Sequence, residues 1–264
     1  MKKILALVLV AVLVCTTAVM FTGCGGNSTE SKASGSSSSE STASKGELHM
    51  ATNAAFEPYE FKEGDKIVGI DAEIAAAIAE KLGMTLEIQD MEFKAIIPAV
   101  TEGKIDFGMA GMTVTPERLQ SVNFSETYAT GVQVIIVKEG SEIASVDDLE
   151  GKTIGVQSGT TGDIYATDDY GQENVKQFAN GSLAVQALAN DQVDCVIIDN
   201  EPAKNFVAAN EGLKILDTEY TVEDYAAAIA KENTELLDSF NAALAELKAD
   251  GTIDAIIAKY IPAE

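Results

Sequence analysis

The sequence predicts an α/β fold in two lobes for residues 47–264, on three observations. Strand-like and helix-like segments alternate through this part of the chain, an order typical of a largely parallel sheet covered by helices. The stretches 98–111 and 186–199 share the order of helix end, polar turn and apolar strand, which indicates two similar lobes. The order of segments also predicts that the chain leaves the first lobe and later returns to it, so two connections would form a hinge.

The helix predictions depend on the spacing of apolar residues. Ile70, Ile74, Ile78 and Leu82 recur every four residues, and Gly83 ends that helix. The other helix-like segments are "FKAIIPAVTEG", the residues after "SGTTGD", "SLAVQALAND", "EPAKNFVAAN", "TELLDSFNAALAELKADG" and "TIDAIIAKYI". The strand-like segments are "ELHMATN", "MTLEIQDM", "IDFGMAG", "KTIGV", "NVKQFA", "VDCVIID" and "EDYAAAIAK". The stretch "NAAFEPYEFKEGDKIVG" is predicted to be rich in turns.

The first residues are predicted to be a secretory signal. Two lysines precede an apolar run over residues 4–14, which is too short to span a membrane. We assign residues 1–23 to a signal peptide, which places the chain outside the cytoplasm. An alternative is an ordinary cleavage site at 16–18, which would leave Cys24 as a spare thiol.

Residues 24–46 are predicted to tether the domain to a membrane. "FTGC" at 21–24 resembles the lipobox of bacterial lipoproteins, which implies that Cys24 becomes the amino terminus and carries fatty-acyl chains such as palmitate. Residues 25–46 contain no apolar side chain larger than alanine, so we expect them to be disordered. A Ser-rich coil of this length spans roughly 25 Å on average.

Composition excludes several classes of function. The chain has 42 acidic and 18 basic residues, and such a balance disfavours nucleic acid as a partner. His49 is the single histidine, which disfavours catalytic triads and zinc sites. Cys195 lies in an apolar run and is expected to be a buried core thiol, without a disulfide. We therefore expect no catalytic residue, no metal and no cofactor.

Arg118 is the first candidate binding residue. In "GMAGMTVTPERLQ" it follows Thr115, which is predicted to cap a helix with Arg118 in its first turn. A cation opposes the helix dipole there, which makes sense if a bound anion joins it. The alternative is a surface arginine paired with Glu117 or Glu126. As an exposed cleft residue, Arg118 would contribute little to stability, so Arg118→Ala is expected to leave the fold intact.

Two further strand ends could form the same cleft. "QSGTTGD", at 157–163, offers a glycine and the free amides of a helix start, although a plain helix cap is the alternative. Asp199 ends an apolar run and is either a helix cap or a carboxylate pointing into the cleft. Phe56 and Phe93 are either core residues or walls for a ligand. Together with Arg118, Asp199 would complement the two charges of an amino acid.

These motifs resemble the solute-binding proteins of bacterial polar amino-acid ABC importers. "GIDAEIAAAIAEKLG" resembles the signature helix of that family, and "ATNAAFEPYEF", "AGMTVTPER", "VQSGTT" and "VIIDN" follow in the expected order. The resemblance implies a two-lobed periplasmic-binding-protein (Venus flytrap) fold of type II, with two hinge crossings. Lobe 1 would comprise 47–130 and 223–264, and lobe 2 would comprise 131–222.

The resemblance also implies roles for individual residues. Arg118 would bind the α-carboxylate, helped by the amide of Thr113 and by the amide of Thr160 or Thr161. The α-ammonium would be bound by Asp199 and the carbonyl of Gly111. The side-chain pocket would be lined by Asn53, Phe56, Phe93 and Gln157.

The side-chain pocket favours a polar or basic amino acid. Asn53 stands where relatives often carry aspartate, and Gln157 stands where some carry lysine. Glu60 and Glu92 lie near these positions and would favour a basic ligand if they face the pocket.

The implied function is capture of a free L-amino acid outside the membrane and its delivery to an ABC permease with its ATPase. We expect a monomer whose sole membrane attachment is the lipid. Two alternatives remain on this fold. One is an enzyme similar to cyclohexadienyl dehydratase, which would need a general acid. The other is a sensory ligand-binding module.

Overall fold

The computed structural model describes residues 46–217 and 219–262. The predicted signal peptide, the lipidation site Cys24 and nearly all of the tether lie outside these residues. Within the described chain, no helix combines the length and the apolar character needed to cross a membrane.

Strands and helices alternate along the chain, as predicted. The strands are β1 (Glu47–Thr52), β2 (Ala55–Phe56), β3 (Glu60–Glu63), β4 (Lys66–Val68), β5 (Thr85–Asp90), β6 (Phe107–Gly108), β7 (Val122–Phe124), β8 (Ala129–Lys138), β9 (Ile154–Gln157), β10 (Val175–Phe178), β11 (Cys195–Asp199), β12 (Leu213–Ile215), β13 (Thr221–Tyr225) and β14 (Ala228–Ala230). The α-helices are α1 (Ile70–Leu82), α2 (Phe93–Thr101), α3 (Arg118–Ser121), α4 (Thr161–Tyr170), α5 (Gly181–Ala189), α6 (Asn200–Ala209), α7 (Thr234–Ala249) and α8 (Thr252–Tyr260).

Two mixed sheets organise the molecule. The first has the order β5-β1-β6-β14-β7, with β5, β1 and β6 parallel and β14 antiparallel to its neighbours. The second has the order β10-β9-β11-β8-β12, and β13 also pairs with β8. In it β10, β9 and β11 are parallel, while β8 is antiparallel to its partners. The predicted α/β architecture is therefore confirmed, and its antiparallel strands come from the chain segments that join the sheets.

Helix α1 shows how sequence pattern produces packing. Ile70, Ile74 and Ile78 are completely buried, because a four-residue spacing places them on one face of the helix. Gly83 ends the helix with a φ of 68°, a left-handed conformation that glycine adopts without strain. Helices α7 and α8 pack against α1, so the carboxyl-terminal segment completes the layer over the first sheet.

The stretch at 53–69 differs from its prediction. It was expected to be turn-rich, but it forms a small antiparallel sheet of β2, β3 and β4. These strands have between two and four residues, which is too short for an alternating pattern to be visible in sequence. The small sheet matters for function because it carries Phe56 and Glu60.

The segment "EDYAAAIAK" was predicted to be one strand, and this was wrong. Its residues divide between β13 in the second sheet and β14 in the first, separated by Ala226 and Ala227. Strands β7 and β8 make the other passage between the sheets. Strands β8 and β13 pair with each other along Ala129–Gln133 and Thr221–Tyr225, so the two connections lie side by side. The residue boundaries proposed for the lobes stay a prediction.

Cys195 is fully buried in the second sheet, as predicted for a core thiol. Burial raises the pKa of this thiol to about 12, so it is protonated at neutral pH. Neither its position nor its ionisation state suits redox chemistry.

Candidate functional site

Elements of both sheets meet around one cavity with about 310 Å³ of empty space, part of which is open to solvent. All ten residues predicted to form a binding site line this cavity. They are Asn53, Phe56, Phe93, Gly111, Thr113, Arg118, Gln157, Thr160, Thr161 and Asp199. Glu60 and Ala110 line it as well. The structure thus brings together every candidate, while the contact of each with a ligand stays a prediction.

Arg118 is held between the two parts of the cavity wall. Its Nη1 donates to the carbonyl of Thr113 at 2.7 Å, and its Nη2 donates to the carbonyl of Gly159 at 3.1 Å. The guanidinium carbon lies 5.3 Å from the centre of the Phe93 ring, within cation–π range. Within the described chain, its hydrogen bonds go to carbonyls and none goes to a carboxylate, so the guanidinium keeps its charge and further N–H groups for a ligand.

Three expectations about Arg118 need correction. The side chain is 7 % exposed, so it is buried rather than exposed in a cleft. It forms no ion pair with Glu117 or Glu126. Helix α3 has four residues, too few for a dipole argument, although Thr115 does accept a hydrogen bond from the Arg118 amide at 3.1 Å. Burial lowers the pKa of Arg118 to about 10, which still leaves it charged at neutral pH.

Backbone amides next to Arg118 extend the anion-binding region. In the described structure, neither the Thr113 amide nor the Thr161 amide takes part in a hydrogen bond. Thr161 is the first residue of α4, where amides have no partner inside the helix. The Thr160 amide, by contrast, donates to the Gln157 carbonyl at 3.3 Å. The choice between the two threonine amides therefore favours Thr161.

Asp199 is a cavity carboxylate and not a helix cap. It precedes α6, but its side chain accepts no hydrogen bond from the amides of that helix. Instead Oδ2 accepts from Gln133 Nε2 at 2.7 Å, and Oδ1 accepts from the Tyr225 hydroxyl. Burial and the nearby Glu223 raise the pKa of Asp199 well above its usual range, because both favour the neutral acid. A bound cation would restore the ionised form.

Gly131 makes room for the contact between Tyr225 and Asp199. A Cβ placed on Gly131 would lie 2.1 Å from the Tyr225 oxygen and 2.5 Å from Asp199 Oδ1. Any side chain at this position of β8 would therefore displace one of them.

Glu223 lies behind the cavity and connects its walls. Its Oε2 accepts hydrogen bonds from Gln133 Nε2 at 3.0 Å, Thr113 Oγ1 at 3.1 Å and Thr161 Oγ1 at 2.9 Å. The threonine hydroxyls are thereby committed to Glu223, which leaves their amides for a ligand. Glu223 is 4 % exposed, and its Oε1 has no hydrogen-bond partner.

Gly111 connects the cavity to a second buried carboxylate. Its amide donates to Asp71 Oδ2 at 2.8 Å, and the Tyr128 hydroxyl donates to the same oxygen at 2.8 Å. Gly111 has a φ of 52°, and a Cβ there would lie 3.0 Å from the Phe56 ring. Glycine is therefore required by both backbone conformation and space.

The polar residues of the predicted side-chain pocket are hydrogen-bonded within the protein. Gln157 Nε2 donates to Asn53 Oδ1 at 2.9 Å, and Asn53 Nδ2 donates to the Met91 carbonyl at 2.8 Å. The two amides thus bind each other across the cavity. Asn205 on α6 makes another contact of this kind, to the Glu57 carbonyl at 3.0 Å. These bonds hold the two halves of the cavity together in a closed arrangement.

The two candidate acids have different positions. Glu60 is 1 % exposed and lines the cavity, whereas Glu92 is largely exposed and pairs with Lys94 at 3.2 Å. Only Glu60 is placed to contact a ligand. The described chain contains no cluster of side chains that could hold a metal ion.

A match to a family model decides the class of protein. Residues 48–263 match the model of the bacterial extracellular solute-binding proteins, family 3. The chain belongs to this family. The match spans nearly all of the described fold, and it confirms the resemblance inferred from sequence and the location outside the cytoplasm.

Several relatives of this family 3 protein are named as amino-acid-binding proteins. The chain is 37 % identical over 237 residues to the arginine-binding extracellular protein ArtP of Bacillus subtilis, and the alignment covers 88 % of this chain and 92 % of that one. A solved structure of an ancestral arginine-binding protein bound to arginine is 43 % identical, with a TM-score of 0.77 over 81 % of this chain and 98 % of that one. A solved structure of an ancestral arginine-binding protein bound to glutamine is 42 % identical, with a TM-score of 0.78 over 82 % of this chain and 98 % of that one. These structures confirm the two-lobed periplasmic-binding-protein fold.

Sequence reasoning missed the polar residues that support the site of this family 3 protein. Gln133 is a lone amide inside the apolar run "VQVII", and a polar residue in a buried strand is a signal that it has a fixed partner. Glu223 and Tyr225 are two residues apart on β13, so they share one face of the strand. That signal was hidden because the segment was taken as one ordinary strand.

Burial of Asp71 predicts a pH-dependent stability. Burial is the main reason that the pKa of Asp71 is raised to about 6. A carboxyl group with a higher pKa in the folded chain takes up a proton on folding between the two pKa values, so stability falls as pH rises through that window. Asp71→Asn should therefore gain stability relative to the parent protein between pH 4 and 6, by up to about 3 kcal/mol.

Urea unfolding of both proteins across this pH range measures the difference. Asp168→Asn, on the exposed face of α4, controls for the loss of one negative charge. A constant difference between Asp71→Asn and the parent at all pH values would contradict the raised pKa.

Proposed function

We propose that the protein binds a free L-amino acid with a cationic side chain outside the cytoplasm and delivers it to an ABC importer. The observation that carries this proposal is that one cavity contains a guanidinium without a carboxylate partner and a carboxylate without a cation partner among the described residues. Arg118 and the amides of Thr113 and Thr161 form one pole, and Asp199 forms the other. This arrangement is complementary to the α-carboxylate and α-ammonium of an amino acid.

Charge supports a cationic side chain. Arg118 balances one carboxylate, while Glu60 and Asp199 both line the cavity and Glu223 lies behind it. With the α-carboxylate and α-ammonium cancelling each other, the surplus of acid groups favours a ligand with an additional positive charge. Phe56 and Phe93 supply the flat apolar walls that suit a guanidinium or a long aliphatic chain. Relatives named for arginine agree with this choice.

The protein acts by binding and not by catalysis. Asn53, Gln157 and Arg118 make hydrogen bonds across the cleft, so a ligand that contacts both walls stabilises the closed form over an open one. We propose that Cys24 is the lipid-modified amino terminus, that residues 24–46 tether the domain to the membrane, and that the protein works as a monomer. Lobe 1 then comprises 47–130 with 223–264, and lobe 2 comprises 131–222.

A thermal-shift screen of the twenty amino acids with ornithine, citrulline and prephenate tests this function. Arginine at about 100 times its dissociation constant should stabilise the folded protein by about 2.7 kcal/mol, since a ligand that binds the folded state alone shifts the unfolding equilibrium. D-Arginine is the control for stereochemistry. If no amino acid raised the unfolding temperature and prephenate did, the result would contradict the proposal and favour a dehydratase.

Arg118 should be essential for affinity and not replaceable by lysine. Arg118→Lys keeps the charge but loses the planar fork that contacts Thr113, Gly159 and the ligand together, so we expect the dissociation constant to rise about 100-fold. Lys94→Met, which removes an exposed cation next to the cavity, is the matched control. Calorimetry measures both, and parental affinity in Arg118→Lys would refute the assignment.

Tyr225 should affect binding through the α-ammonium alone. Tyr225→Phe removes a hydrogen bond to Asp199, so arginine should bind roughly tenfold more weakly. The analogue 5-guanidinopentanoate lacks the α-ammonium, and its affinity should stay unchanged. Tyr170→Phe, which removes a hydroxyl bound to the distant Val146 carbonyl, is the control. An equal loss for both ligands would show that Tyr225 acts on the fold and not through Asp199.

A further inference from the structure

We propose that a cationic ligand side chain displaces a proton held between Glu60 and Asp71, and that Glu60 thereby distinguishes a cationic side chain from a neutral one of the same shape. The inference rests on the proposed function of the cavity as an amino-acid site. It assigns to Glu60 a role in specificity that goes beyond the recognition of the α-carboxylate and α-ammonium.

The geometry places two carboxyl groups together in a dry environment. Glu60 on β3 is 1 % exposed, and Asp71 on α1 is completely buried. Asp71 Oδ2 is satisfied by the Gly111 amide and the Tyr128 hydroxyl. Asp71 Oδ1 and Glu60 Oε2 are both buried and both lack a hydrogen-bond donor. Two ionised carboxylates in this position would leave two lone-pair oxygens unsatisfied and two like charges together.

A single proton shared by Glu60 and Asp71 provides the missing hydrogen-bond donor and removes one of the two like charges. The Asp71 amide donates to the carbonyl of Tyr59 at 2.9 Å, which brings Asp71 next to Glu60. When Glu60 is protonated, its carboxyl group can donate to Asp71 and satisfy one of these oxygens. Two neighbouring acids of this kind share one proton: the pair loses its first proton at a lower pH than its second, because the second ionisation places two negative charges together. The pair as a whole, with Glu60 as its more basic member, then carries one negative charge at neutral pH.

The surroundings of Glu60 favour the shared proton while the cavity is empty. Asp71 from α1 and Asp199 from β11 face it, and both are acidic. The neighbouring phenols of Tyr59 and Tyr128 are also buried. None of these groups is a cation, so burial and the acids together raise the pKa of Glu60 well above its usual range.

A guanidinium or ammonium in the cavity would reverse this balance. Glu60 lines the cavity, so a cation there lies next to a carboxyl group that gains an ion pair on losing its proton. The step balances as Glu60 carboxylic acid plus cationic ligand giving the Glu60 carboxylate paired with the cation, with one proton released to buffer. A neutral side chain offers no such gain, so Glu60 keeps its proton and acts as a neutral hydrogen-bonding group.

Arginine and citrulline are the matched ligands, because they have nearly the same shape and differ in side-chain charge. Isothermal titration calorimetry of the full chain, in two buffers of different protonation enthalpy, measures the protons released. Their α-ammonium groups act alike on Asp199, so any proton released there cancels in the comparison. Arginine should release up to one proton more than citrulline. The ratio of their affinities should rise with pH by up to about tenfold per pH unit.

Glu60→Gln provides the matching variant, since glutamine keeps the shape of the protonated acid and can donate to Asp71. This variant should release equal numbers of protons with both ligands, and its affinity for arginine should fall while that for citrulline changes little. Glu92→Gln is the control, because the same substitution is made at an exposed acid beside the cleft. L-Glutamine serves as the neutral ligand if citrulline is not bound.

The outcomes separate this inference from the proposed function. If no amino acid produces heat or a thermal shift, the proposed function fails. Binding of arginine with the same proton release as the neutral ligand would overturn the inference and leave the function intact. Extra release that persists in Glu60→Gln would also overturn it, by assigning the proton to another group. The comparison of ligands on the parent protein decides the matter even if the variant does not fold.

Discussion

The burial of charge between the two sheets is the constraint on which the rest of the site depends. In the described chain, Arg118 and the carboxyl groups of Glu60, Asp71, Asp199 and Glu223 lie in or next to the cavity, each with less than a tenth of its surface exposed. Each buried charge requires hydrogen bonds from the protein or a counter-charge from a ligand. Carbonyls satisfy the arginine in part, and amides, hydroxyls and a glutamine satisfy the acids in part. The hydrogen-bond and charge partners that these groups still lack are those that a zwitterionic ligand with a positive side chain would provide.

The strands that join the sheets also hold Asp199, the carboxylate that we propose as the partner of the α-ammonium. Gln133 on β8 and Tyr225 on β13 both donate to Asp199, and Gln133 also donates to Glu223. Because β8 and β13 are adjacent, bending of the connections would disturb these bonds. A ligand that binds Asp199 as proposed would therefore be linked to closure of the cleft by short, direct contacts.

Much of the fold was predictable because its long elements follow regular patterns. The four-residue spacing of Ile70, Ile74 and Ile78 indicated α1 and its buried face, and the apolar run ending at Asp199 indicated β11. The small sheet at 53–69 was not predictable, since two-residue strands have no period and are stabilised by tertiary contacts. The division of "EDYAAAIAK" between two sheets depends on a chain crossing that local sequence does not encode.

The candidate site was predictable to a different extent. All the residues taken from motifs at strand ends line the cavity, because carboxyl ends of parallel strands converge in such folds. The sequence did not predict that Arg118 is buried or that it donates to carbonyls. It also did not predict the supporting pair of Gln133 and Glu223. These groups are distant in sequence and ordinary in composition, and only their three-dimensional proximity gives them a role.

The small sheet of β2, β3 and β4 has a consequence for how such proteins diversify. Phe56 and Glu60, which line the cavity, lie on this peripheral sheet, whereas Asp199, Gln133 and Tyr225 lie on strands of the second sheet. Substitutions on the peripheral sheet would therefore change one wall of the cavity while the strands that carry Asp199, Gln133 and Tyr225 keep their residues.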